Sequence, residues 1–320
     1  MTKLIIQIPC YNEAETILTT LNALPKNVEG INEIEVLVIN DGSSDNSAEI
    51  VKNWGASVLE IKPNKGLANA FRNGLSDCLK RGADIIVNTD ADNQYCADDI
   101  EKLVKPILMG EADIAIGARD ILSIKEFSPI KKFFQKLGSA VLRLLSSTKV
   151  EDAPSGFRAF SKHAALRLNV FDNYTYTMET LIQANAKGLK IVSVPIRVNP
   201  KLRESKLMKN IFDYMYKSMK TAVRMFIVYR PFRFFITLAG IAGFAGFALV
   251  IRFYLGDGNG HVQSLIFAAV FLIAALQLGI IAIIGDLLAI NRKLMEDIQT
   301  RIKKLELGIN EKNGASDLKA

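Results

Sequence analysis

Histidine, tryptophan and cysteine are scarce in this 320-residue chain, which has two His, one Trp and three Cys. His163 and His261 are too far apart in sequence to suggest a metal site. Cys10, Cys78 and Cys96 are odd in number and show no paired spacing, so free thiols in a reducing compartment are expected. The first strand-to-helix turn, Pro9-Cys10-Tyr11-Asn12-Glu13, contains no glycine, which counts against a dinucleotide-binding enzyme. No Walker A sequence is present, which counts against a P-loop NTPase, and no aromatic-rich basic motif points to nucleic acid as a partner. The N-terminus runs from Met1 straight into a strand-like segment without a signal peptide, so the first half is expected in the cytosol.

What is present is unevenly spread. Up to about Arg230 the chain reads as a soluble α/β protein, and from Phe232 onward it reads as membrane. The formal net charge is +7, with Lys and Arg clustered near the apolar segments, which points to an anionic membrane surface. Phe234 to Ile251 is uncharged and apolar, and at 1.5 Å per residue it covers ~27 Å, enough to cross a hydrocarbon core. Val262 to Gly285 is a second uncharged run. The loop between them, Gly256 to His261, carries no Lys or Arg, whereas both outer flanks are basic. The positive-inside rule then puts both ends in the cytosol. Asp286, near the end of the second span, either reaches the headgroups or pairs with a neighbouring subunit.

Two stretches are amphipathic, basic and helical in period. Ile130, Phe134, Leu137, Val141 and Leu144 share one face; Met208, Phe212, Met215, Met219, Ala222 and Phe226 share another. Each reads either as a core-facing helix or as a helix lying in the membrane interface, and the basic flanks favour the interface, above all for the second. Leu294, Ile298, Ile302 and Leu305 repeat at helical spacing in a charged tail, over too few heptads to define a coiled coil.

In the first half, Leu4–Ile8, Glu35–Asn40, Ser57–Ile61, Ala83–Thr89 and Ala112–Gly117 read as strands, the first stopping at Pro9, and helices are expected from about Glu13, after Ser44 or Asp45, and from Lys65-Gly66. This alternation predicts a mostly parallel sheet with ligands at the carboxyl ends of its strands. At the end of the fourth strand stands Asp90-Ala91-Asp92. Carboxylates at i and i+2 face one way on a strand, and oxygen-only ligands suit Mg2+ or Mn2+, which clamps phosphate oxygens.

These segments together resemble the family 2 glycosyltransferases of GT-A fold, and more closely the polyprenyl-phosphate glycosyltransferases. The resemblance covers Lys3 to about Lys206 by motif and the two-span anchor by architecture. It implies that Pro9, Tyr11 and Glu13 touch the nucleotide, that Asp41 supplies a carboxylate to the base, and that Lys65 lines the donor site or merely starts a helix; Asn12 and Asp45 stay as polar turn residues. It implies a metal on Asp90, Asp92 and Gln94, with Asp90 nearer the sugar and nucleotide. Arg119 fits the family's arginine for the acceptor phosphate, with Lys131 or Lys132 either assisting or lying as interfacial charges. Asp152 to Arg158 resembles the stretch that shapes the acceptor side: Ser155 belongs to it, Gly156 lets backbone approach a ligand, and Arg158 holds either a phosphate or a structural carboxylate. Thr177-Met178-Glu179 resembles the segment where many relatives place an acidic residue. Arg203 and Lys206, in Arg-x-x-Ser-Lys, would hold the donor pyrophosphate.

The resemblance therefore implies a catalytic domain over 1–206, an interfacial helix over 207–231, two transmembrane helices at about 232–255 and 262–288 within 232–290, and a charged cytoplasmic tail over 291–320. The implied activity is inverting, metal-dependent transfer of a hexose from a UDP- or GDP-sugar to a polyprenyl phosphate at the cytoplasmic membrane face, by an integral membrane protein; the two spans and the helical tail suggest a homo-oligomer without fixing its number. A family 2 transferase for another glycan or lipid acceptor and a non-catalytic nucleotide-sugar-binding scaffold are the alternatives. A processive polysaccharide synthase is disfavoured, because Trp54 lies far upstream of any place for that family's Gln-x-x-Arg-Trp motif.

Overall fold

A computed structural model describes residues 1–119, 150–171, 176–200, 220, 223–224, 226–255 and 262–308. The chain divides into two compact units, one of Met1–Ala222 with Gln299–Ala320 and one of Val223–Ile298.

In the first unit a seven-stranded sheet is built from β1 (Lys3–Cys10), β2 (Glu33–Asn40), β3 (Ser57–Glu60), β4 (Ile85–Asn88), β5 (Ile114–Arg119), β6 (Arg158–Ser161) and β7 (Ile191–Ile196). Their order across the sheet is β3-β2-β1-β4-β6-β5-β7. β1 pairs in parallel with β2 (Ile6 opposite Val36) and with β4 (Leu4 opposite Ile85), and β5 in parallel with β7. Only β6 runs antiparallel, Phe160 lying opposite Ile86 of β4 and Ile114 of β5. The expected mostly parallel sheet is present, with two strands the apolar runs did not announce. β6 is four residues long and begins with an arginine. β7 carries Pro195, which an edge strand tolerates because its missing N–H breaks no ladder.

Alternation along the strands sorts the core into two layers. Ile5, Ile39, Ile86, Ile116 and Phe160 pack with Phe71, Leu75 and Leu79 of α3 (Leu67–Lys80) and with α5 (Lys162–Arg167) and α6 (Tyr176–Ala186). Leu4, Ile6, Ile8, Val38, Val87 and Ala159 pack on the other face with α1 (Ile17–Ala23), α2 (Ser47–Trp54) and α4 (Ile100–Leu108). A sheet covered on both faces needs such continuous apolar strands. Gln7 breaks the run within β1 and Asn88 ends β4, yet both are fully buried. Leaving those amides unpaired would cost several times what an ordinary hydrogen bond contributes, and the structure pairs them with each other, Gln7 Nε2 donating to Asn88 Oδ1 at 2.9 Å.

The strand order reverses between β1 and β4, since the chain builds outward from β1 through β2 to β3 and then returns to β4 on the other side. A ligand crevice in an open α/β sheet opens at such a switch point, outside the carboxyl ends of the strands. β1 extends past Pro9 to Cys10, and the regular part of α1 starts at Ile17 rather than near Glu13. The intervening turn is closed by Thr16 and Ile17 N–H groups donating to Glu13 O.

The second unit holds α7 (Pro231–Leu255) and most of α8 (Val262–Glu306), both long and apolar enough to cross a membrane. Ile241, Phe244, Phe247 and Leu276 are each more than 60% exposed along them, a continuous apolar surface that water does not tolerate and lipid does. The two helices approach closely at Gly246, where a Cβ would lie 2.9 Å from Leu272 Cγ, the small-residue contact typical of packing in lipid. α8 has 45 residues, far more than the roughly 20 that a span needs. The expected tail is thus helical through Glu306, and Lys303, in the part of α8 that belongs to the first unit, donates to Leu168 O and Asn169 Oδ1. Of the interfacial helix expected over 207–231, most lies outside the described residues.

Candidate active site

Three turns meet at the switch point. The turn after β1 and the turn after β2 are stitched together: Asn12 N donates to Ser43 Oγ at 3.0 Å, Ser44 N to Asn12 Oδ1 at 2.8 Å, Glu13 N to Ser47 Oγ at 2.8 Å, and Ala14 N to Asp45 Oδ2 at 3.1 Å. Asn12 takes φ +53°, a left-handed conformation that asparagine accepts better than most residues. Asn12 and Asp45 thus act as turn residues, as expected. Asp45 Oδ1 also accepts from Ser47 N, although the residue at the helix cap is Asn46. Tyr11 is 45% exposed, Lys65 is exposed, and Pro9 and Glu13 are buried.

Asp41, expected to reach a base, is 2% exposed. Its two oxygens accept from Lys65 N at 3.0 Å and Gly66 N at 2.7 Å, so this carboxylate is engaged in holding the turn that starts α3. Gly66, with φ +89°, supplies the backbone conformation that this cap requires.

The third turn is Asp90-Ala91-Asp92-Asn93-Gln94, directly after β4, and its Asp90, Asp92 and Gln94 are half-buried. The start of α1 holds it, with Thr16 Oγ1, at the helix cap, and Thr20 Oγ1 each 3.0 Å from Ala91 O. Within the turn Gln94 N donates to Asp92 Oδ1 at 3.1 Å, and Asn93 adopts φ +54°. On its other side Asp90 lies against the loop before β6. A Cβ built on Gly156 would be 3.1 Å from Asp90 Oδ1 and 3.0 Å from the Tyr176 hydroxyl.

That loop is fixed by a buried polar network. Asn88 Nδ2 donates to Gly156 O at 2.9 Å and to the Tyr176 hydroxyl at 2.8 Å, while Gly156 N donates to the Tyr95 hydroxyl at 3.2 Å. Tyr176 stacks on Phe71 at 3.8 Å and Tyr95 on Phe157 at 5.0 Å between ring centres. Burial, with a contribution from the Asp90 charge, pushes both hydroxyls above the ordinary tyrosine range, so both stay protonated.

Three acceptor-side expectations change here. Arg158, expected to hold a phosphate or a carboxylate, holds neither. It is fully buried and donates to Ala153 O, Ser155 O, Thr177 O and Thr180 Oγ1 at 2.6 to 2.9 Å. Burial lowers it to about 10, which leaves it charged at neutral pH. Ser155 is fully buried, and its Oγ makes no hydrogen bond among the described residues. Arg119, expected to face an acceptor phosphate, pairs with both oxygens of Asp152, Nε–Oδ2 at 2.6 Å and Nη2–Oδ1 at 3.1 Å. Burial works against its charge, but Tyr95 and Asp152 outweigh burial and keep Arg119 protonated. Glu179 is buried, accepting from Phe171 N and from Gln183 Nε2. Lys131, Lys132, Arg203 and Lys206 lie outside the described residues.

The donor set fits a hard divalent cation. Asp90, Asp92 and Gln94 offer only oxygen ligands, and the bare Cα of Gly156 leaves the space that the Asp90 carboxylate occupies. Among the described residues no group of three or more His, Cys, Asp or Glu is placed to hold a metal by itself. The protein would thus contribute part of a coordination sphere, which suits a metal shared with phosphate oxygens. The residues missed from sequence are Gln7, Asn88, Tyr176, Tyr95, Thr16 and Thr20. For the first two, a polar side chain in an otherwise apolar strand was the available signal.

Comparison with known proteins follows the same lines. Residues 5–168 match the family described as Glycosyl transferase family 2. The chain is 35% identical over 213 residues to UDP-N-acetylglucosamine–dolichyl-phosphate N-acetylglucosaminyltransferase of Methanococcus voltae, covering 59% of this chain and 83% of that protein. It is 31% identical over 233 residues to dolichol-phosphate mannosyltransferase of Pyrococcus furiosus, covering 68% of this chain and 64% of that protein. Among solved structures, glucosyl-3-phosphoglycerate synthase from Mycobacterium tuberculosis, in complex with Mn2+, uridine diphosphate and glucosyl-3-phosphoglycerate, superposes with a TM-score of 0.54 at 19% identity, over 71% of this chain and 79% of that one.

Proposed function

The chain belongs to glycosyl transferase family 2 and is a glycosyltransferase of GT-A fold, and we propose that it transfers a hexose from a nucleotide sugar to a polyprenyl phosphate at the cytoplasmic face of a membrane. The observation that carries this reading is the Asp90–Asp92 turn, held at the sheet's switch point by Thr16 and Thr20 on one side and Gly156 on the other, in a chain with two helices apolar enough to span a bilayer. The two relatives described above are named for transfer to dolichyl phosphate, and a lipid acceptor explains why a soluble sheet is followed by a membrane anchor.

In this reading the turns after β1 and β2 receive the nucleoside through Tyr11 and Glu13, with Asp41 fixing the Lys65-Gly66 turn beside them. Asp90, Asp92 and Gln94 would hold Mg2+ or Mn2+, which when bound offsets the charge gathering on the diphosphate leaving group. Arg203 and Lys206 supply further positive charge to the donor diphosphate, and Lys131 and Lys132 to the acceptor. Arg119 acts through Asp152, anchoring the loop that ends at Gly156. A phosphate monoester has a second pKa near ~6, so the acceptor is largely ionised at cytosolic pH and needs no strong general base. Its oxygen attacks the anomeric carbon, and the nucleoside diphosphate leaves from the opposite face, inverting the configuration. The basic flanks of α7 and α8 support a topology with both chain ends on the cytosolic side.

The test is a double Asp90→Asn, Asp92→Asn variant, which keeps the steric outline of the turn. It should unfold at the wild-type temperature and lose turnover by about a hundred- to a thousand-fold, the scale on which removal of preorganised charge stabilisation acts. Wild-type turnover in that variant would sink the reading.

A further inference from the structure

The turn that carries Asp92 and Gln94 is gripped from a third direction by a segment with no assigned role. After β7 the chain passes along the turn as an antiparallel bridge, Val198 opposite Tyr95. Asn199 N donates to Gln94 O at 2.9 Å, and Asn199 Nδ2 donates to Asn93 O at 3.0 Å and Tyr95 O at 3.2 Å. One residue therefore meets three successive carbonyls, those of Asn93, Gln94 and Tyr95. The acceptors around its side chain are oxygens, which fixes the amide with its nitrogen toward the turn. Arg197, Val198 and Pro200 are exposed while Asn199 is half-buried against the turn.

Those carbonyls need an outside partner. Asn93 sits at φ +54° and lies outside every strand, so its carbonyl has no ladder partner. The same left-handed residue separates Asp92 from Gln94, so the orientation of its peptide decides how the Asp92 carboxylate and the Gln94 amide stand relative to each other and to Asp90. Two residues earlier, the segment is anchored independently, since Arg197 pairs with Asp99 through its side chain at 2.9 Å and also donates to it from its backbone N–H. Asn199 is thus not needed to attach the segment, and its contacts are spent on the geometry of the turn.

We propose that Asn199 is a positioning residue for divalent-cation binding: its side-chain amide holds the Asn93 and Tyr95 carbonyls, on either side of Gln94, so that Asp92 and Gln94 present their oxygens to one cation together with Asp90. This rests on the metal reading given above. Each hydrogen bond to the turn is individually modest, but a misplaced ligand weakens a metal site well beyond the energy of the bond that held it.

The experiment is titration of the purified full-length protein in detergent with Mn2+ in the presence of UDP, following free Mn2+ by electron paramagnetic resonance, alongside thermal unfolding. Asn199→Ala and the isosteric Asn199→Asp, which turns a carboxylate oxygen toward the carbonyls, should each weaken Mn2+ binding by about ten-fold or more, the usual scale for residues that orient metal ligands. Both should unfold within a few degrees of wild type. Arg197→Ala, which loosens the segment at its other anchor, should lower the unfolding temperature and leave Mn2+ affinity nearly unchanged. Wild-type Mn2+ affinity in Asn199→Ala and Asn199→Asp would overturn the assignment of Asn199 alone. Absence of Mn2+ binding by the wild-type protein would overturn the metal reading and this proposal with it.

Discussion

The carboxylate of Asp90 rests on the bare Cα of Gly156, where a methyl group would stand 3.1 Å from Oδ1 and 3.3 Å from Oδ2. The Tyr176 hydroxyl, 3.0 Å from the same point, closes the other side. Gly156 is thus required by the Asp90 side chain that it faces, with no demand from a left-handed backbone.

Gly156→Ala tests that contact. Tyr176 is locked by its stack on Phe71 and by Asn88, so Asp90 is the group that moves. The variant should lose about 1–2 kcal/mol of stability, the usual cost of a small overpacking. Its kcat should fall by at least ten-fold, measured as lipid-linked product per time at saturating donor.

Thr16 and Thr20 make a second support for the same turn. Thr16 has one hydroxyl proton and two close acceptors, Ala91 O and Glu13 Oε2, each at 3.0 Å. Thr20→Val leaves Thr16 able to serve Ala91 and should cost little. Thr16→Val with Thr20→Val orphans a buried carbonyl, with an expected loss of about 1–3 kcal/mol. A double variant that unfolds at the wild-type temperature and turns over normally would show that the threonines do not hold the turn.

The strap at Asp99 sets a pH dependence. Burial opposes its ionisation, but hydrogen bonds from Arg197 and Lys102 outweigh burial and hold its carboxyl below the ordinary value. A lowered carboxylate contributes stability that is fully present above the unfolded pKa near ~3.9 and is lost as pH falls through the folded value. The difference in unfolding temperature between wild type and Asp99→Asn should be constant from about pH 7 to pH 5 and shrink below about pH 4. A difference that grows on acidification would contradict the assignment.

Much of this was legible in the sequence, for identifiable reasons. β1, β2, β4 and β5 are nearly unbroken apolar runs because both sheet faces are covered, and Asp90-Ala91-Asp92 stands out because two acids end such a run. β6 was not legible, since a strand beginning with Arg158 is intelligible only once Ala153, Ser155 and Thr177 surround its guanidinium with carbonyls. The same burial removes Arg158 from the ligand, which its motif alone does not reveal. Asp41 was readable as a site carboxylate and turns out to hold the Lys65-Gly66 turn, because its partners are backbone N–H groups 24 and 25 residues away. Asn199 has no local signal, since its partners lie more than a hundred residues earlier.

The central claim is transfer of a sugar to a polyprenyl phosphate. Purified protein in detergent, with Mn2+ or Mg2+ and a polyprenyl phosphate, would be offered each radiolabelled UDP- or GDP-sugar, with label read in the organic phase. The account predicts that one donor gives lipid-borne label that EDTA abolishes. Nucleotide binding with no lipid label from any donor would contradict it.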